Sequence, residues 1–562
     1  MQQAGRILAF ACWTDQDPAV VRRRGGGVQQ RGEPGGATGR HLRWALAVAL
    51  LTVLVWSPSL SGEFVWDDVS NLVDTDRLRA PGAVLEAFRH DAMWSAGAEQ
   101  AAVATYRPLA LASFALDFQL HGPGPLGFHI SSVLLHALAA ALLFLFFARW
   151  TRGPAVAFGL AVIWAVHPTA AEAVAWINGR SEVLAFLCGI SAALVVSRPG
   201  LGVGRLLAAG LLLLLALCGK ETGIIFVPVT VWLAGEADGR AAPGRPLLER
   251  VHWPMAVSAV AALGAYFLLR DQALTGGAAA GMGHAPQAVM ALPAVWARAL
   301  QAAIMPLDRA VVHLHLWLLE MPSPERVAYG AAAALTLAIV GAAWWKGERV
   351  AAVALLWWLG SLTPVALVVV KSWPGLYRWL YVGLPGLLLG AWLLALHRIP
   401  GRALRLIFFS VAGLLTLQTQ RAIAVWHDDG ALWMQMIEEQ PDEAFGYIGL
   451  GSYVLYRGQR DLARELLEKA IALTPRRPEP YFLMASLKID EGDCEGAWKA
   501  VASRVSTDII PAHLIGQVAR CFEGRGDRAP AISLYRLCAP RFAPCGDRLR
   551  GMNPREGEAG GP

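Results

Sequence analysis

The chain is poor in charged residues, which make up 16% of its 562 positions, where a soluble domain carries roughly 25%. Hydrophobic residues make up 55%. The shortage of charge extends from about residue 42 to residue 425, and beyond it the sequence becomes polar with a helical pattern. These values exclude a single soluble domain and divide the chain into two regions of different class.

Several enzyme motifs are also missing. The sequence has no cysteine–histidine spacing typical of a metal site, no phosphate-binding glycine loop and no serine nucleophile elbow. It therefore supports no resident cofactor, and the involvement of a divalent metal stays open. The net charge is +6, but the basic residues occur in short clusters between apolar runs. That distribution is typical of membrane-protein loops and argues against nucleic-acid binding.

The apolar runs predict many membrane spans. Residues 1–40 are rich in Gly and Arg without periodicity, which predicts a disordered cytosolic leader. The run 42–60 lacks a clear cleavage site, so we interpret it as an uncleaved anchor. Further runs of about 20 apolar residues, the length that crosses a bilayer, centre near residues 136, 162, 186, 212, 228, 261, 336, 358, 388 and 414. We predict an all-α polytopic transmembrane domain over residues 41–428 with about eleven helices.

One apolar segment does not fit this pattern. Residues 288–306 carry Arg298 at their middle, and an arginine at the bilayer centre costs roughly 2.5–3.5 kcal/mol or more. We therefore predict a re-entrant or interfacial helix there.

The loops predict an orientation. If the N-terminus is cytosolic, every loop on its side contains Arg or Lys, as the positive-inside rule requires; these loops are "RWTRG", "SRPGLGVGR", "GEADGRAAPGRPLLER", "KGER" and "HRIPGRALR". An odd number of spans places the C-terminal region outside the cytosol, together with the loop after the first span. The abundance of Ala, Gly and Arg suggests a GC-rich bacterium, so we expect the periplasmic face of an inner membrane.

Residues 441–545 contain a repeat of 34 residues. Aromatic, small and turn positions recur at this period, as in tetratricopeptide repeats: Tyr447, Leu450, Gly451, Gly458, Ala463, Ala470 and Pro475, then Tyr481, Met484, Ala485, Gly492 and Ala497, then Ile515, Val518, Ala519, Gly526 and Ala531. Three repeats predict a C-terminal α-solenoid, and residues 551–562 are predicted to be a disordered tail.

Four of the seven cysteines lie in the repeat region, which the orientation places in an oxidising compartment. The repeat pattern puts Cys494 and Cys521 on neighbouring helices. We predict a Cys494–Cys521 bridge and, second, a Cys538–Cys545 bridge, with four free buried thiols as the alternative.

Two adjacent acids follow the first span, in "GEFVWDDVSNL". Adjacent side chains point in different directions, so one of Asp67 and Asp68 can act as a general base on a hydroxyl while the other orients it. The alternative is a turn or helix cap.

Cationic and polar side chains fall at the same predicted face. Arg378, Lys220 and Arg180 are candidates for binding a phosphate group, since arginine offers a planar fork and lysine a compact charge; the alternative is snorkelling toward the aqueous edge. Candidate site-shaping or substrate-binding residues complete this face: Arg107, His167, Glu172 and Glu221.

These motifs occur in a recognisable order. The first span is followed by "FVWDD", "YRPLALASF", "HPTAAEAVAWINGRSEVL", "KETG", "YRWLY" and the repeats. Over roughly residues 45–540 this order resembles the transmembrane-and-tetratricopeptide-repeat family of protein O-mannosyltransferases and its bacterial relatives. The resemblance implies a C-type glycosyltransferase fold and a polyprenyl-phosphate sugar donor. It also implies that Asp67 and Asp68 match the family's acidic pair, and that Arg378 contacts the donor phosphate.

We therefore expect a membrane glycosyltransferase that transfers mannose, with inversion, from polyprenyl phosphate to an extracytoplasmic protein Ser or Thr hydroxyl. The expected partners are the lipid-linked donor and an acceptor protein bound by the repeats, with no nucleic acid. Two alternatives stay open: a non-catalytic membrane scaffold whose repeats recruit envelope proteins, and an oligosaccharide ligase or polymerase.

Overall fold

A computed structural model describes residues 34–73, 75–92, 94–95, 105–240, 247–274, 285–306, 323–369 and 377–552. Throughout these ranges the regular elements are helices and no β-strand occurs, which confirms the all-α class. The chain divides into two units, Met1–Arg40 and His41–Pro562, and the packing described below is that of the second. Residues 1–33 of the predicted leader and residues 553–562 of the predicted tail lie outside the described residues.

The N-terminal three quarters of the chain hold the apolar helices. They are α1 (Pro34–Trp56), α2 (Ala83–Glu86), α3 (Pro108–His121), α4 (Pro125–Phe147), α5 (Pro154–Ala165), α6 (Ala171–Val174), α7 (Arg180–Val196), α8 (Val203–Gly219), α9 (Phe226–Ala237), α10 (Leu247–Arg250), α11 (Trp253–Ala273), α12 (Ala285–Ile304), α13 (Ser323–Trp345), α14 (Arg349–Val369), α15 (Tyr377–Leu394) and α16 (Gly401–Val425). Every predicted span centre lies within one of these helices.

Six helical segments of the described chain are long and apolar enough to cross a membrane, which makes this a multi-pass membrane protein. They are Gly39–Ser61, Pro125–Phe147, Ile177–Val196, Trp253–Ala273, Pro324–Trp345 and Gly401–Val425. A seventh span is added if α5 and the following segment Pro168–Val174, bent by 53° from it, are taken together. The helix α12, where an interfacial or re-entrant segment is predicted, belongs to the shorter apolar helices.

Local sequence explains how these helices begin and which face they expose. Pro108, Pro125 and Pro154 lie in the first turns of α3, α4 and α5, where the missing N–H of proline costs nothing. Along α1, four leucines spaced by four residues are exposed, as expected of a face in contact with lipid; they are Leu42, Leu46, Leu50 and Leu54.

Polar side chains inside the apolar core are satisfied by neighbouring helices. His136 of α4 lies 2.7 Å through Nδ1 from the hydroxyl of Tyr381 and 3.0 Å through Nε2 from the carbonyl of Ala165. The indole of Trp56 donates to the same carbonyl at 2.8 Å. These bonds tie α1, α4, α5 and α15 together.

The C-terminal quarter consists of shorter helices. They are α17 (Asp429–Glu439), α18 (Ala444–Tyr456), α19 (Arg460–Leu473), α20 (Glu479–Asp490), α21 (Cys494–Ala502), α22 (Ala512–Gly524), α23 (Arg528–Cys538) and α24 (Ala543–Met552). The last helix includes the first two residues of the predicted tail. Trp433 and Met436 of α17 belong to the same hydrophobic core as the apolar helices, so this region packs directly on the membrane part.

The repeat positions recur in the helix pairs α18–α19, α20–α21 and α22–α23. Gly458, Gly492 and Gly526 join the two helices of each pair with φ between 77° and 85°, a conformation that favours glycine. Ala463, Ala497 and Ala531, one in the second helix of each pair, are fully buried, as close helix packing requires.

The structure contains both cysteine pairings inferred from the sequence. The Sγ atoms of Cys494 and Cys521 are 2.03 Å apart, and those of Cys538 and Cys545 are 2.07 Å apart. The first pair joins α21 to α22 and the second joins α23 to α24, so the bridges link successive parts of the C-terminal region.

Candidate functional site

Loops from distant parts of the chain meet around the two adjacent aspartates. The segment after α1 contacts the segment between α6 and α7 through Asp68 and Asn178. The same segment contacts the start of α17 through Trp66 and Asp429. These loops are the ones that the predicted orientation places on one side of the membrane, while the side itself stays a prediction.

Asp68 is fully buried, and both of its carboxylate oxygens accept hydrogen bonds from backbone N–H groups. Its Oδ2 accepts the N–H of Val65 at 3.1 Å, and its Oδ1 accepts the N–H of Asn178 at 2.9 Å. Burial raises the pKa of Asp68 to about 8, although these donors oppose the shift. The side chain therefore holds two loops together and is closed to a substrate.

Asp67 has the opposite environment. It is half-buried, and among the described residues its carboxylate accepts no hydrogen bond from the protein. Burial raises its pKa, the positive charge of Arg378 opposes the shift, and the negative charge of Asp429 adds to it. A carboxylate with a raised pKa and a free face is suited to accept a proton.

Arg378, at the start of α15, is separated from this loop by the indole ring of Trp176. Its guanidinium carbon is 5.3 Å from the ring centre of Trp176, and Trp176 stacks on Trp66 with the ring centres 5.4 Å apart. Its buried Nη1 is 3.8 Å from Oε2 of Glu172 and has no hydrogen-bond partner in the described part of the chain. Arg378 thus offers an unused donor beside Asp67.

Glu172 is buried and only partly satisfied. Its Oε2 accepts the backbone N–H of Arg378 at 3.1 Å, while its Oε1 has no hydrogen-bond partner among the described residues. The loop containing Gly179 passes so close that a Cβ at this glycine would lie 1.8 Å from the carbonyl oxygen of Glu172. Glycine is therefore required in "INGR" for this approach.

A second set of ion pairs lies around the "KETG" loop. Nζ of Lys220 is 2.7 Å from Oε1 of Glu182, and Thr222 donates to the other oxygen of Glu182 at 2.7 Å. Burial lowers the pKa of Lys220 to about 8, against the attraction of Glu182. Arg107 donates to Oε2 of Glu221 through both Nε and Nη2, at 3.2 and 3.1 Å.

Arg180 is not part of the open site. Its side chain is fully buried and its guanidinium pairs with Asp117, donates to Ser132 at 3.0 Å and to the carbonyl of Phe128 at 2.6 Å, and lies over the ring of Phe114. The donors that a phosphate would need are used within the protein. Arg180 stabilises the packing of α3, α4 and α7 instead.

His167 shapes a loop rather than facing a substrate. Its Nδ1 lies 2.7 Å from the hydroxyl of Thr169, and its Nε2 lies 3.1 Å from the carbonyl of Ala303 in α12. Because both ring nitrogens are occupied and the side chain is buried, His167 fixes the bend between α5 and α6.

A cleft opens next to Glu172. It is lined by Pro168, Thr169, Ala171, Glu172, Pro306, Tyr377, Gln418, Ala422 and Trp426. Neither Asp67 nor Arg378 lines it, although Glu172 pairs with Arg378 and Trp426 stacks on Trp176 at 5.4 Å. Within the described ranges, no group of three or more His, Cys, Asp or Glu side chains could hold a metal ion.

Some important residues were not singled out from the sequence. Asp117 and Glu182 neutralise Arg180 and Lys220, and Asp429 accepts the N–H of Trp66 at 2.7 Å. Glu182 belongs to the motif "INGRSE", so its place in that motif could have marked it as a candidate. Asp117 and Asp429 carry no local signal, because their partners are distant in sequence.

The fold and the site define an all-helical multi-pass membrane protein with acids, cations and tryptophans gathered where its helices end. Partial similarity connects it with curated proteins. It is 38% identical over 182 residues to human "Protein O-mannosyl-transferase TMTC1", which is 31% of this chain and 20% of that protein. For "Protein O-mannosyl-transferase F38B6.6" of Caenorhabditis elegans the identity is 27% over 200 residues, 34% and 28% of the two chains.

Human "Protein O-mannosyl-transferase TMTC4" is 29% identical over 159 residues, which is 26% of this chain and 22% of that protein. The matches thus span between a fifth and just over a quarter of the length of these relatives. No family model matches the chain, and no solved structure matches it. The curated homologues are therefore TMTC protein O-mannosyltransferases, which confirms the resemblance drawn from the motifs.

Proposed function

We propose that this protein is a membrane glycosyltransferase that transfers mannose from a polyprenyl-phosphate donor to a protein Ser or Thr hydroxyl. The observation that carries the proposal is the open carboxylate of Asp67 beside the unused guanidinium donor of Arg378. A base and a phosphate-binding cation at one helix boundary suit a donor whose lipid lies in the membrane. The names of the relatives support the choice of mannose.

In the proposed mechanism Asp67 is the general base. It takes the proton of the acceptor hydroxyl while that oxygen forms a bond to the anomeric carbon of the sugar. The bond from this carbon to the phosphate oxygen breaks, and the polyprenyl phosphate leaves with the electron pair. A single displacement of this kind inverts the anomeric centre and needs only one carboxylate at the reacting carbon, whereas a retaining route needs two.

Arg378 stabilises the leaving group. A guanidinium presents a fork of donors to phosphate oxygens, and a donor aimed at developing negative charge favours the transition state over the ground state. Lys220 interacts electrostatically with Arg378, and its ion pair with Glu182 keeps it in place. Asp68 orients the loop that carries Asp67.

The remaining features belong to the same proposal. The membrane part is a C-type glycosyltransferase domain with about eleven spans, and its open site faces the periplasm of a bacterial inner membrane. The helix pairs from α18 to α23 are three tetratricopeptide repeats that bind the acceptor protein. The buried alanines and the glycine turns at a period of 34 residues support this assignment.

Replacing Asp67 by Asn tests the function. Membranes containing the wild type or Asp67→Asn would receive radiolabelled polyprenyl-phosphate mannose, and label in envelope proteins would be measured. We expect transfer to fall by about 10²–10⁴-fold, the usual contribution of a general base. The folded protein should persist in normal amount because the Asp67 carboxylate holds no hydrogen bond among the described residues.

Asp76→Asn is the matched control. Asp76 lies in the same loop, and its carboxylate is exposed and pairs with the exposed Arg79; such a pair contributes little. This variant should transfer label like the wild type. Equal transfer by wild type and Asp67→Asn would refute the assignment of the base, and no label with the wild type would refute the proposed donor.

A further inference from the structure

Trp66, the residue before the proposed base, has a left-handed backbone. Its φ is 56°, and it is the one non-glycine residue with positive φ in the described part of the chain. Such a conformation is strained for a residue other than glycine and persists only where the surroundings enforce it. The groups that enforce it therefore decide the backbone direction at Asp67.

Those groups come largely from the C-terminal region. The backbone N–H of Trp66 donates to Oδ1 of Asp429 at 2.7 Å. This distance is at the short end of the range for N–H···O hydrogen bonds. The indole meets the ring edges of Trp433 and Phe445, with ring centres 5.7 and 6.0 Å apart. On its other side it stacks on Trp176 of the membrane part, at 5.4 Å and 17° between planes.

Other contacts secure the same docking. The backbone N–H of Glu63 donates to the carbonyl of His427 at 2.8 Å, and the carboxylate of Glu63 lies 3.6 Å from Nη2 of Arg457, the residue after α18. The loop between α1 and the aspartates is thus held at two points by residues that follow the last apolar helix.

We propose that Asp429, with the rings of Trp433 and Phe445, is a positioning residue that aims Asp67 toward Arg378. The C-terminal region then completes the reaction site as well as binding an acceptor. If the left-handed turn at Trp66 relaxes, Asp67 swings away from Arg378 while Asp68 stays tied to Val65 and Asn178. This inference rests on the proposed function, because it assigns Asp67 as the base.

Substitution of Asp429 separates the hydrogen bond from the charge. Asp429→Ala removes the acceptor for the N–H of Trp66, whereas Asp429→Asn keeps a carbonyl oxygen in its place. We expect the turnover of Asp429→Ala to fall by about 10²-fold, the size of effect that a misplacement of about 1 Å produces. Its KM for polyprenyl-phosphate mannose should be unchanged, and Asp429→Asn should restore most of the turnover.

The neighbouring acid provides the matched control. Asp428 caps the same helix by accepting the N–H of Ala431 at 2.9 Å, and the N–H of Trp66 donates to Asp429 rather than to Asp428. Asp428→Ala should unfold at a lower temperature because of the missing cap and retain its turnover. An equal loss of turnover in Asp428→Ala and Asp429→Ala would overturn the inference, because both changes would then act through the stability of α17.

Hydrogen–deuterium exchange gives a readout that does not depend on transfer. The amide of Trp66 should be protected in the full-length wild type and in Asp429→Asn, and should exchange faster in Asp429→Ala. Faster exchange together with wild-type turnover would overturn the positioning role. An absence of transfer by the wild type would refute the proposed function, whereas unchanged protection in Asp429→Ala would refute the inference itself.

Discussion

The polar residues at the helix ends divide into an open group and a closed group. The open group consists of Asp67, Glu172 and Arg378, and within the described ranges Oε1 of Glu172 and Nη1 of Arg378 have no hydrogen-bond partner. The closed group consists of Asp68, Asp117 and Arg180, which are buried and bonded within the protein. The same residue types thus serve binding in one place and packing in the other.

What separates the groups is the set of partners that the fold supplies. Asp68 meets two backbone N–H groups, and Arg180 meets a carboxylate, a hydroxyl and a carbonyl. Arg378 meets the faces of Trp176 and Trp379, and its buried Nη1 has no hydrogen-bond partner among the residues that the structure describes. An arginine held by aromatic faces is positioned without being saturated.

The largest expected effect is a loss of stability on substitution in the closed group. Arg180→Met leaves Asp117 buried without its cation, and breaking a buried pair in this way costs about 3–5 kcal/mol. We expect a corresponding fall in the free energy of unfolding, measured by equilibrium denaturation of the purified protein in detergent.

The double variant Arg180→Met/Asp117→Leu tests the cause. Replacing both members of a buried pair by apolar side chains is often close to neutral, so much of the lost stability should return. If the double variant is as unstable as Arg180→Met, the ion pair is not what holds α3 to α7, and the cation–π contacts with Phe114 and Phe128 become the explanation.

The next largest expected effect is a loss of turnover on substitution in the open group. Arg378→Gln removes the fork that faces the leaving phosphate, and the loss of one such donor lowers turnover by about 10²–10³-fold. The fall in stability should be smaller than for Arg180→Met, because the Arg378 guanidinium lies 3.8 Å from Glu172 and the backbone N–H still donates to Glu172. Radiolabel transfer and denaturation of the same preparations measure both quantities.

Arg378→Lys refines this prediction. It keeps the positive charge and loses the planar fork, so its turnover should lie between those of the wild type and Arg378→Gln. A reversed outcome, in which Arg378→Gln loses stability and Arg180→Met loses only transfer, would exchange the roles of the open and closed groups.

The sequence was sufficient for features that depend on period and local order. Apolar runs of span length predicted where the helices lie, and a period of 34 residues predicted the turns at Gly458, Gly492 and Gly526. The neighbouring-helix argument also paired Cys494 with Cys521. In each case the deciding pattern lies within a few tens of residues, so it can be read without knowledge of the tertiary fold.

The distinction between the open and closed groups could not be read in this way. Arg180 and Arg378 both lie at the start of an apolar helix. Asp117, which is 63 residues before Arg180, pairs with Arg180 and makes it part of the packing. The backbone at Trp66 depends on Asp429, which is 363 residues away. Tertiary partners at such separations leave no periodic signal. The sequence alone therefore does not distinguish the arginine that packs from the arginine that faces the site.

The last expected effect depends on pH and concerns Asp68. Burial raises the pKa of Asp68 from an ordinary value of 3.8 to about 8, so the folded state holds this proton more tightly than the unfolded state. Its contribution to stability is complete below about pH 4 and is lost as the pH rises through about 8. One proton corresponds to at most about 1.4 kcal/mol per pH unit.

Denaturation of wild type and Asp68→Asn at several pH values isolates this contribution, because the other titrating groups are common to both. The stability of the wild type relative to Asp68→Asn should fall as the pH rises from 4 to 8. A relative stability that rises over this range would mean that the N–H groups of Val65 and Asn178 outweigh burial and keep the carboxylate ionised. Asp68 would then be a charged member of the closed group, and its negative charge would have to be added to the field that Arg378 and Asp429 exert on Asp67.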